Sequence, residues 1–450
     1  MITIRTFSWR HAFGVIFLLI AALPFVAMLR GGGYRTAPAA EPAETLTILS
    51  PHRREVRQEY SRGFRDWMKA RTGRAVTINW LDVGGTSKIL KEIESRFATR
   101  PDAPGVDLLF GGGVEPFFIA TEHNWLSRLD LPQGVLDGIP ATCAGAPVYD
   151  PERRWFGVAL SGFGVLYNRP LVERLHLPVP ASWEDLGRPE YFSWVGSGDP
   201  RSSGSVHMCY EIILQAYGFE KGWALITRIC ANVRNFGEAG GTVPREVAAG
   251  DIAAGMVIDQ YAHTVIRATG GDQLVLVLPE RNTVIGPDAI AMIRGAPQPE
   301  LALRFVEYVL SPDGQRVLFQ PAGINGQRHA LYRMPVVQAL YREPGAPQPD
   351  PYGFPAGFPY DDRKGSRRLN VLNDLLGIWL IDAQTDLRAA WQRVIAQGCP
   401  PDLVAQLCAA PVTEKELQEL AQAWKDPRRK QDVTSRWSRA AEKRYRHLAR

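Results

Sequence analysis

Between Asp199 and Trp223 the chain reads DPRSSGSVHMCYEIILQAYGFEKGW, and the first residues of this stretch are well suited to hold a negative charge. Asp199-Pro200 makes a turn. Ser202, Ser203, Gly204 and Ser205 follow, and Val206, Tyr210, Ile213, Leu214 and Tyr217 then fall at helical spacing. A Gly/Ser run that feeds a helix leaves backbone N–H groups without partners and sets hydroxyls beside them. Those N–H groups, with the positive end of the helix dipole, favour an anion. The plainer alternative is that Ser203 or Ser205 only caps the helix.

Other candidates lie on loops, so the elements that hold those loops matter. Leu46–Leu49 reads as a short buried strand and runs into Ser50-Pro51-His52. A helix from about Arg54 to Arg71 follows, closed by Gly73. Ala75–Trp80 is a second strand, followed by Gly84-Gly85-Thr86-Ser87 and a helix to about Phe97. Val106–Phe110 is a third strand, ending in Gly111-Gly112-Gly113. This β-α-β-α-β-α order predicts an α/β fold with a parallel sheet and helices on both faces. Ligands in such sheets sit beyond the carboxyl ends of the strands, and all three loops there are small, polar or glycine-rich.

A second block runs from about Trp155 to Tyr261. Phe156–Asn168 reads as strand, Ser161-Gly162 interruption, strand. Gly241-Thr242-Val243 starts a short helix, and Ala253–Ile258 is a strand that delivers Asp259, Gln260 and Tyr261. A third block, Gln273–Leu340, returns to strand and helix. A chain that leaves one α/β unit, builds another and returns gives two lobes with hinge strands, a cleft between them, and closure about the hinge. The expected divisions are 1–33, a signal or membrane-anchor segment; 34–44, a linker; 45–155, the first part of lobe 1; 156–262, lobe 2; and 263–340, the return to lobe 1. A Pro/aromatic crossing segment with helices (341–424) and a basic tail (425–450) complete the chain.

The length of 450 residues implies two or three domains. Lys425 to Arg450 carries ten Lys/Arg and three Asp/Glu, a net of +7. The whole chain is +5, so the remainder sums to about −2, which argues against a nucleic-acid-binding body. The basic end reads as a solvated or disordered helix, with attraction to anionic lipid headgroups as the alternative. Cys143, Cys209, Cys230, Cys399 and Cys408 show no CxxC spacing, and their pairing stays open. Arg5, Arg10 and His11 precede an apolar run from Ala12 to Leu29, 18 residues long and interrupted by Pro24. It is long for a signal-peptide core and just long enough to span a bilayer. Thr45 onward is therefore expected on the periplasmic or extracellular face of the cytoplasmic membrane, either released or anchored through residues 12–29.

Several segments, taken in order, resemble the solute-binding proteins of ABC importers, in the iron(III)-type group that also takes sugar phosphates and phosphonates. They are TLTILSPHRRE at 45–55, VDLLFGGG at 106–113, GVALSGFGVLYNRP at 157–170, PASWEDLGRPEY at 180–191, DPRSSGS at 199–205, GFEKGW at 218–223, VAAGDIAAGMVID at 247–259 and GAPQPELALRFVEYVLSPDGQ at 295–315. The resemblance implies a two-lobed type II periplasmic-binding fold, no catalysis, no cofactor, and ABC permease and ATPase subunits as partners. Ferric-binding members of the group hold iron with a His after the first strand, a carboxylate after the third, and two adjacent Tyr near the return hinge. Here His52 fits the first position, the third-strand loop has no carboxylate before Glu115, and the hinge offers Tyr261 alone. Iron, if bound, would use His52 and Tyr261, a thin set for a hard cation. A donor-rich site of N–H groups and hydroxyls suits a phosphate, phosphonate or carboxylate better.

The expected ligand is thus a small anionic organic solute. Gly85, Thr86, Ser87, Ser203, Gly204, Ser205 and Thr242 would hold its charge, Gly112 and Gly113 would line its approach, and His52, Ser161, Asp259 and Tyr261 would contact the remainder. Asp259 could equally be a hinge residue paired with backbone. Two rivals remain: a hydrolase using Ser161, Ser203 or Ser205 with a histidine, although no GxSxG elbow surrounds them, and a membrane-anchored ligand sensor that signals through a partner.

Overall fold

The apolar run ahead of Ser50 forms β1 (Glu44–Leu49) in the computed structural model, which describes residues 44–347, 350–355 and 357–450. The expected anchor at 12–29 and nearly all of the linker lie outside the described residues. Among the described residues no helix is long and apolar enough to cross a membrane. After β1, α1 (Arg54–Thr72) buries Val56, Tyr60, Phe64 and Met68 along one side and stops at Gly73, whose φ of 71° suits glycine. β2 (Val76–Leu81), α2 (Thr86–Thr99), β3 (Leu108–Phe110) and α3 (Glu115–Glu122) complete the expected alternation. β1 and β3 pair in parallel.

Side chains on successive strand positions face opposite ways, and the core follows that rule. Leu46 and Ile48 pack with α1, while Leu49 packs with Ile89 and Ile93 of α2 and Phe117 of α3. Helices therefore cover both faces.

The second lobe is built on β4 (Phe156–Asn168), a long strand that serves both halves of the sheet. It is followed by β5 (Val195–Gly198), α4 (Gly204–Tyr217), α5 (Phe219–Asn232), β6 (Val233–Gly237), α6 (Thr242–Ala249), β7 (Ala254–Ile258), α7 (Asp259–Thr269), β8 (Leu274–Val277) and β9 (Ile285–Ile293). The main strand order is β2-β1-β3-β9-β4-β7-β5-β6. Residues Phe156–Gly162 of β4 pair antiparallel with β9, and Phe163–Tyr167 pair with β7. Ser161-Gly162 thus sits where β4 passes from one lobe to the other. β8 pairs with the second half of β4, so Leu274–Val277 belongs to the second-lobe sheet and the chain recrosses at β9 rather than near residue 263. Later, Pro299–Leu310 forms α8, and β10 (Met334–Pro335) adds to the middle of β4 at Leu160-Ala159.

Beyond residue 360 come α9 (Asp362–Leu376), α10 (Gln384–Ala396), α11 (Pro401–Cys408), α12 (Glu414–Gln422) and α13 (Pro427–Ala449). Their apolar residues, Leu372, Trp391, Trp437 and Tyr445 among them, and Trp379 between α9 and α10 share one core with Trp183, Tyr210 and Trp223 of the second lobe. Arg368 of α9 is buried with them and pairs with Glu211 of α4 at 2.7 Å and Glu414 of α12 at 2.8 Å. The basic end is accordingly no solvated tail. Val433, Trp437, Ala441, Tyr445 and Leu448 recur every three or four residues, and that buried stripe fixes α13 against the lobe. All five cysteines are free thiols, four of them buried.

Candidate functional site

The first-lobe wall of the cleft begins at the ends of β1 and β3. His52 lies in the loop after β1, with Nδ1 3.0 Å from Ser50 Oγ and Nε2 2.8 Å from Asp288 Oδ2 on β9. Arg333, just before β10, brings Nη1 to 3.1 Å from His52 Nε2 and pairs through Nη2 with Asp288 Oδ2. Gly113 N–H donates to the other oxygen of Asp288 at 3.1 Å. Burial lowers the His52 pKa, so the ring is neutral. Nε2 faces both the Asp288 carboxylate, an acceptor, and the Arg333 guanidinium, a donor, while Nδ1 faces the Ser50 hydroxyl. Burial pushes the Asp288 carboxyl up, but Arg333 and His52 beside it more than offset this and hold it well below the usual carboxylate range.

The Gly111–Gly113 loop has φ values of 91°, 101° and 81°, a left-handed path that favours glycine. A Cβ at Gly111 would lie 2.5 Å from His52 Cε1. At Gly111, therefore, the glycine makes room for the histidine ring.

The second-lobe wall is formed by helix starts. α4 begins at Gly204 after Ser203, and the Ser203 side chain makes no capping hydrogen bond. Its hydroxyl lies instead 3.2 Å from Ser205 Oγ. A Cβ at Gly240 would meet Ser205 Oγ at 2.4 Å, Ser203 Oγ at 3.1 Å and the Tyr261 ring at 3.1 Å, so these residues crowd one spot. Thr242 opens α6 two residues beyond, with Gly241 at its N-cap and again no side-chain cap. α2 opens at Thr86 behind Gly85, also uncapped by a side chain, and a Cβ on Gly85 would come within 2.7 Å of Ser202 O. The side chains of Thr86 and Ser87 lie outside the description. Arg53 stacks over the Tyr261 ring at 4.4 Å and joins the two walls a second time.

The floor lies where β4 changes partners. Asp259, at the start of α7, accepts from Gly162 N at 3.0 Å and from Gln260 N at 2.6 Å. Burial raises its pKa to about 7, against the help of those two N–H groups. Arg333 and Asp259 influence one another's ionisation, which brings the first-lobe network to the floor. Ser161 Oγ lies beside Asp259 and helps to lower its pKa through a side-chain hydrogen bond, and Arg333 Nε is buried with no hydrogen bond among the described residues.

Of the expected residues, Gly85, Ser203, Ser205, Tyr261 and the starts of α2, α4 and α6 converge, whereas His52 is engaged within its own wall. Asp288 and Arg333 are additions that sequence reading missed; an Asp inside the apolar strand IGPDAIAMI was the available signal. Ser50, His52 and Asp288 match a hydrolytic triad by residue type. Ser50, however, is 0% exposed, and triad chemistry needs a nucleophile that a substrate can reach. Among the described residues none of Ser161, Ser203 and Ser205 bonds a histidine. No group of three or more metal-ligating side chains occurs among the described residues. A cavity of about 1220 Å³ lies elsewhere, between α2, α3, α9 and α12. Its walls are largely self-paired, Lys425 with Glu94, Arg367 with Glu122 and Lys430 with Asp374.

Residues 104–322 match the family model described as bacterial extracellular solute-binding protein. The phosphoglycerate transport regulatory protein PgtC of Salmonella typhimurium is 30% identical over 218 residues, which are 48% of this chain and 52% of that protein. The chain thus spans about half the length of the curated relatives it matches first. Among solved structures it is similar to the periplasmic binding protein AfuA of Actinobacillus pleuropneumoniae, bound to exogenous fructose-6-phosphate. There the TM-score is 0.62 at 19% identity, over 74% of this chain and 98% of that one. Iron-bound HitA of Pseudomonas aeruginosa gives a TM-score of 0.59 at 17% identity, over 75% and 100%. At these identities the structural likeness establishes the fold alone.

Proposed function

Starting from a chain with the type II periplasmic-binding fold and, over residues 104–322, the sequence of a bacterial extracellular solute-binding protein, we propose that it captures a small phosphate-bearing organic solute in the cleft between its lobes and presents it to an ABC importer. One observation carries the choice of ligand: three helices, α2, α4 and α6, start close together, two behind glycine N-caps Gly85 and Gly241 that have no side chain to cap with, and one behind Ser203, whose side chain makes no cap hydrogen bond. The first-turn N–H groups not already donated to backbone, the paired hydroxyls of Ser203 and Ser205, and the positive helix ends would form a cradle for phosphate. Ser161 and Asp259 on the floor would serve the rest of the molecule. Asp259, with its pKa near 7, can accept from or donate to a ligand hydroxyl at neutral pH. The names of two similar proteins, one for phosphoglycerate and one bound to fructose-6-phosphate, agree with a phosphate ester. Iron is the weaker reading, because His52 is already held by Ser50, Asp288 and Arg333.

A second reading is ligand sensing, favoured by the word regulatory in the name of that Salmonella relative. Cellular assays separate the two: loss of the gene removes solute uptake at once if the chain delivers cargo, and removes only induction of uptake if it senses.

A thermal-shift panel of 3-phosphoglycerate, hexose phosphates, phosphonates, inorganic phosphate and ferric citrate tests the site. A ligand at a hundredfold excess over its Kd adds about 2.7 kcal/mol of stability. A phosphate ester is expected to raise the melting midpoint. Ser203→Ala with Ser205→Ala should weaken its binding at least about tenfold, from two lost hydrogen bonds to a charged group. A shift with ferric citrate alone, lost in Tyr261→Phe, would overturn the proposal.

A further inference from the structure

The terminal helix α13 presents two unlike faces. At 100° per residue, Val433, Trp437, Ala441, Tyr445 and Leu448 fall on one arc, and all five are buried in the second-lobe core. Arg428, Arg436, Arg439, Lys443, Arg446 and Arg450 fall on the opposite arc, and all six are exposed. Asp432 is the acid on that arc, and it pairs with Arg436 at 3.3 Å. Arg446 is held by Asp386 and Glu442. The side chains of Arg428, Arg439, Lys443 and Arg450 make no hydrogen bond or ion pair among the described residues. The stripe runs from residue 428 to 450, about 33 Å at 1.5 Å per residue. The remainder of the chain sums to about −2, so positive potential is concentrated here.

We infer that this face of α13 is a docking surface for an anionic lipid bilayer. The buried arc holds the helix rigidly, so the cations are displayed in a row. No large exposed apolar side chain lies on the helix; among the described residues such side chains are Val179 and Ile324, both far away in sequence. Contact would therefore be electrostatic, without insertion. A straight row of long, unpaired cations with no groove and no exposed aromatic fits a plane of phosphate headgroups better than a shaped protein surface. Such attraction falls off within a Debye length, about 8 Å at physiological salt, and so it is steeply salt-dependent. Docking would hold the second lobe, which carries the Ser203–Ser205 cradle, next to the membrane.

The test uses full-length protein and vesicles of phosphatidylcholine with and without phosphatidylglycerol, read by co-sedimentation at low and high salt. The expected result is phosphatidylglycerol-dependent binding that drops at least about tenfold in Arg439→Glu with Lys443→Glu, and similarly in high salt, at an unchanged melting midpoint. Equal binding to both vesicle types, or binding untouched by the double variant, would overturn the inference. Retention only on native membranes, lost after their proteins are digested away, would assign the stripe to an acidic protein and also overturn it.

Discussion

Replacing Arg333 by methionine is expected to cost about 3–5 kcal/mol of folding stability and to weaken ligand binding in the same variant. The stability loss follows from what remains. Asp288 is 8% exposed and would keep the His52 ring and the Gly113 N–H as partners. Removing one member of a buried ion pair leaves an uncompensated charge, and that penalty dominates. The chain can respond only by protonating Asp288 or charging His52, and burial opposes the second. Adding Asp288→Asn should restore much of the stability, because the orphaned charge is gone. Binding should stay weak, since the Arg333 charge that acts on Asp259 at the floor is gone in both variants. Urea unfolding with unchanged slope, run alongside the thermal-shift panel, measures both effects. An Arg333→Met protein as stable as wild type would refute the account of the first-lobe wall. In the wild type the sign at acid pH is set by Asp288. Its folded pKa is depressed, so its stabilising share is present above about pH 4 and is lost as pH falls further.

The same network shows why part of the site could be read from the chain and part could not. β1, β3 and the loops after them are local: a short apolar run, then small residues, announces a strand end wherever it occurs. Ser203 and Ser205 were legible for that reason, and the capping alternative could be settled only by seeing where the hydroxyls point. His52 and Asp288 are 236 positions apart, and Arg333 lies a further 45 along. No periodicity links such residues, and only the return of β9 and β10 onto β4 brings them together. The Gly111–Gly113 loop was legible as a close approach, but not its object, which at Gly111 is the imidazole. In α13 two signals conflicted. The excess of arginine suggested a solvated tail, while the spacing of Val433, Trp437, Ala441, Tyr445 and Leu448 pointed to a packed helix. Burial of Trp437 and Tyr445 outweighs the solvation of surface charges, which remain in water when the helix packs.

Folding stability should fall as pH rises from about 6.5 to 8, above the window in which the buried, neutral His52 and His207 oppose the trend, and Glu115→Gln should flatten that slope. Glu115 opens α3 directly after the glycine loop and is 3% exposed, with Oε1 unpaired among the described residues. Burial raises its pKa to about 8, helped by the nearby carboxylates Asp362 of α9 and Glu211 of α4. Asp362 is itself pushed to about 7, first by burial and then by Asp361. An unfolded glutamate releases its proton near pH 4.3. Between that pH and about 8 the folded chain holds a proton that the unfolded chain does not, so each pH unit removes up to about 1.4 kcal/mol per such group. Asp259, raised to about 7, adds to the slope in the same direction, so Glu115→Gln should reduce the fall and not abolish it. The expected gain over wild type is about 1–3 kcal/mol at pH 8.5 and near zero at pH 5, read from urea midpoints at both pH values. A flat wild-type profile, or a variant equally shifted at both, would show that Glu115 is ionised in the fold. The position gives this proton a structural meaning. α3 belongs to the first lobe, while α9 is fixed to the second through Arg368 and Glu211. When Glu115 and Asp362 both ionise, like charges face each other across the seam between the first lobe and the helical extension, so rising pH should loosen that seam before it unfolds either core.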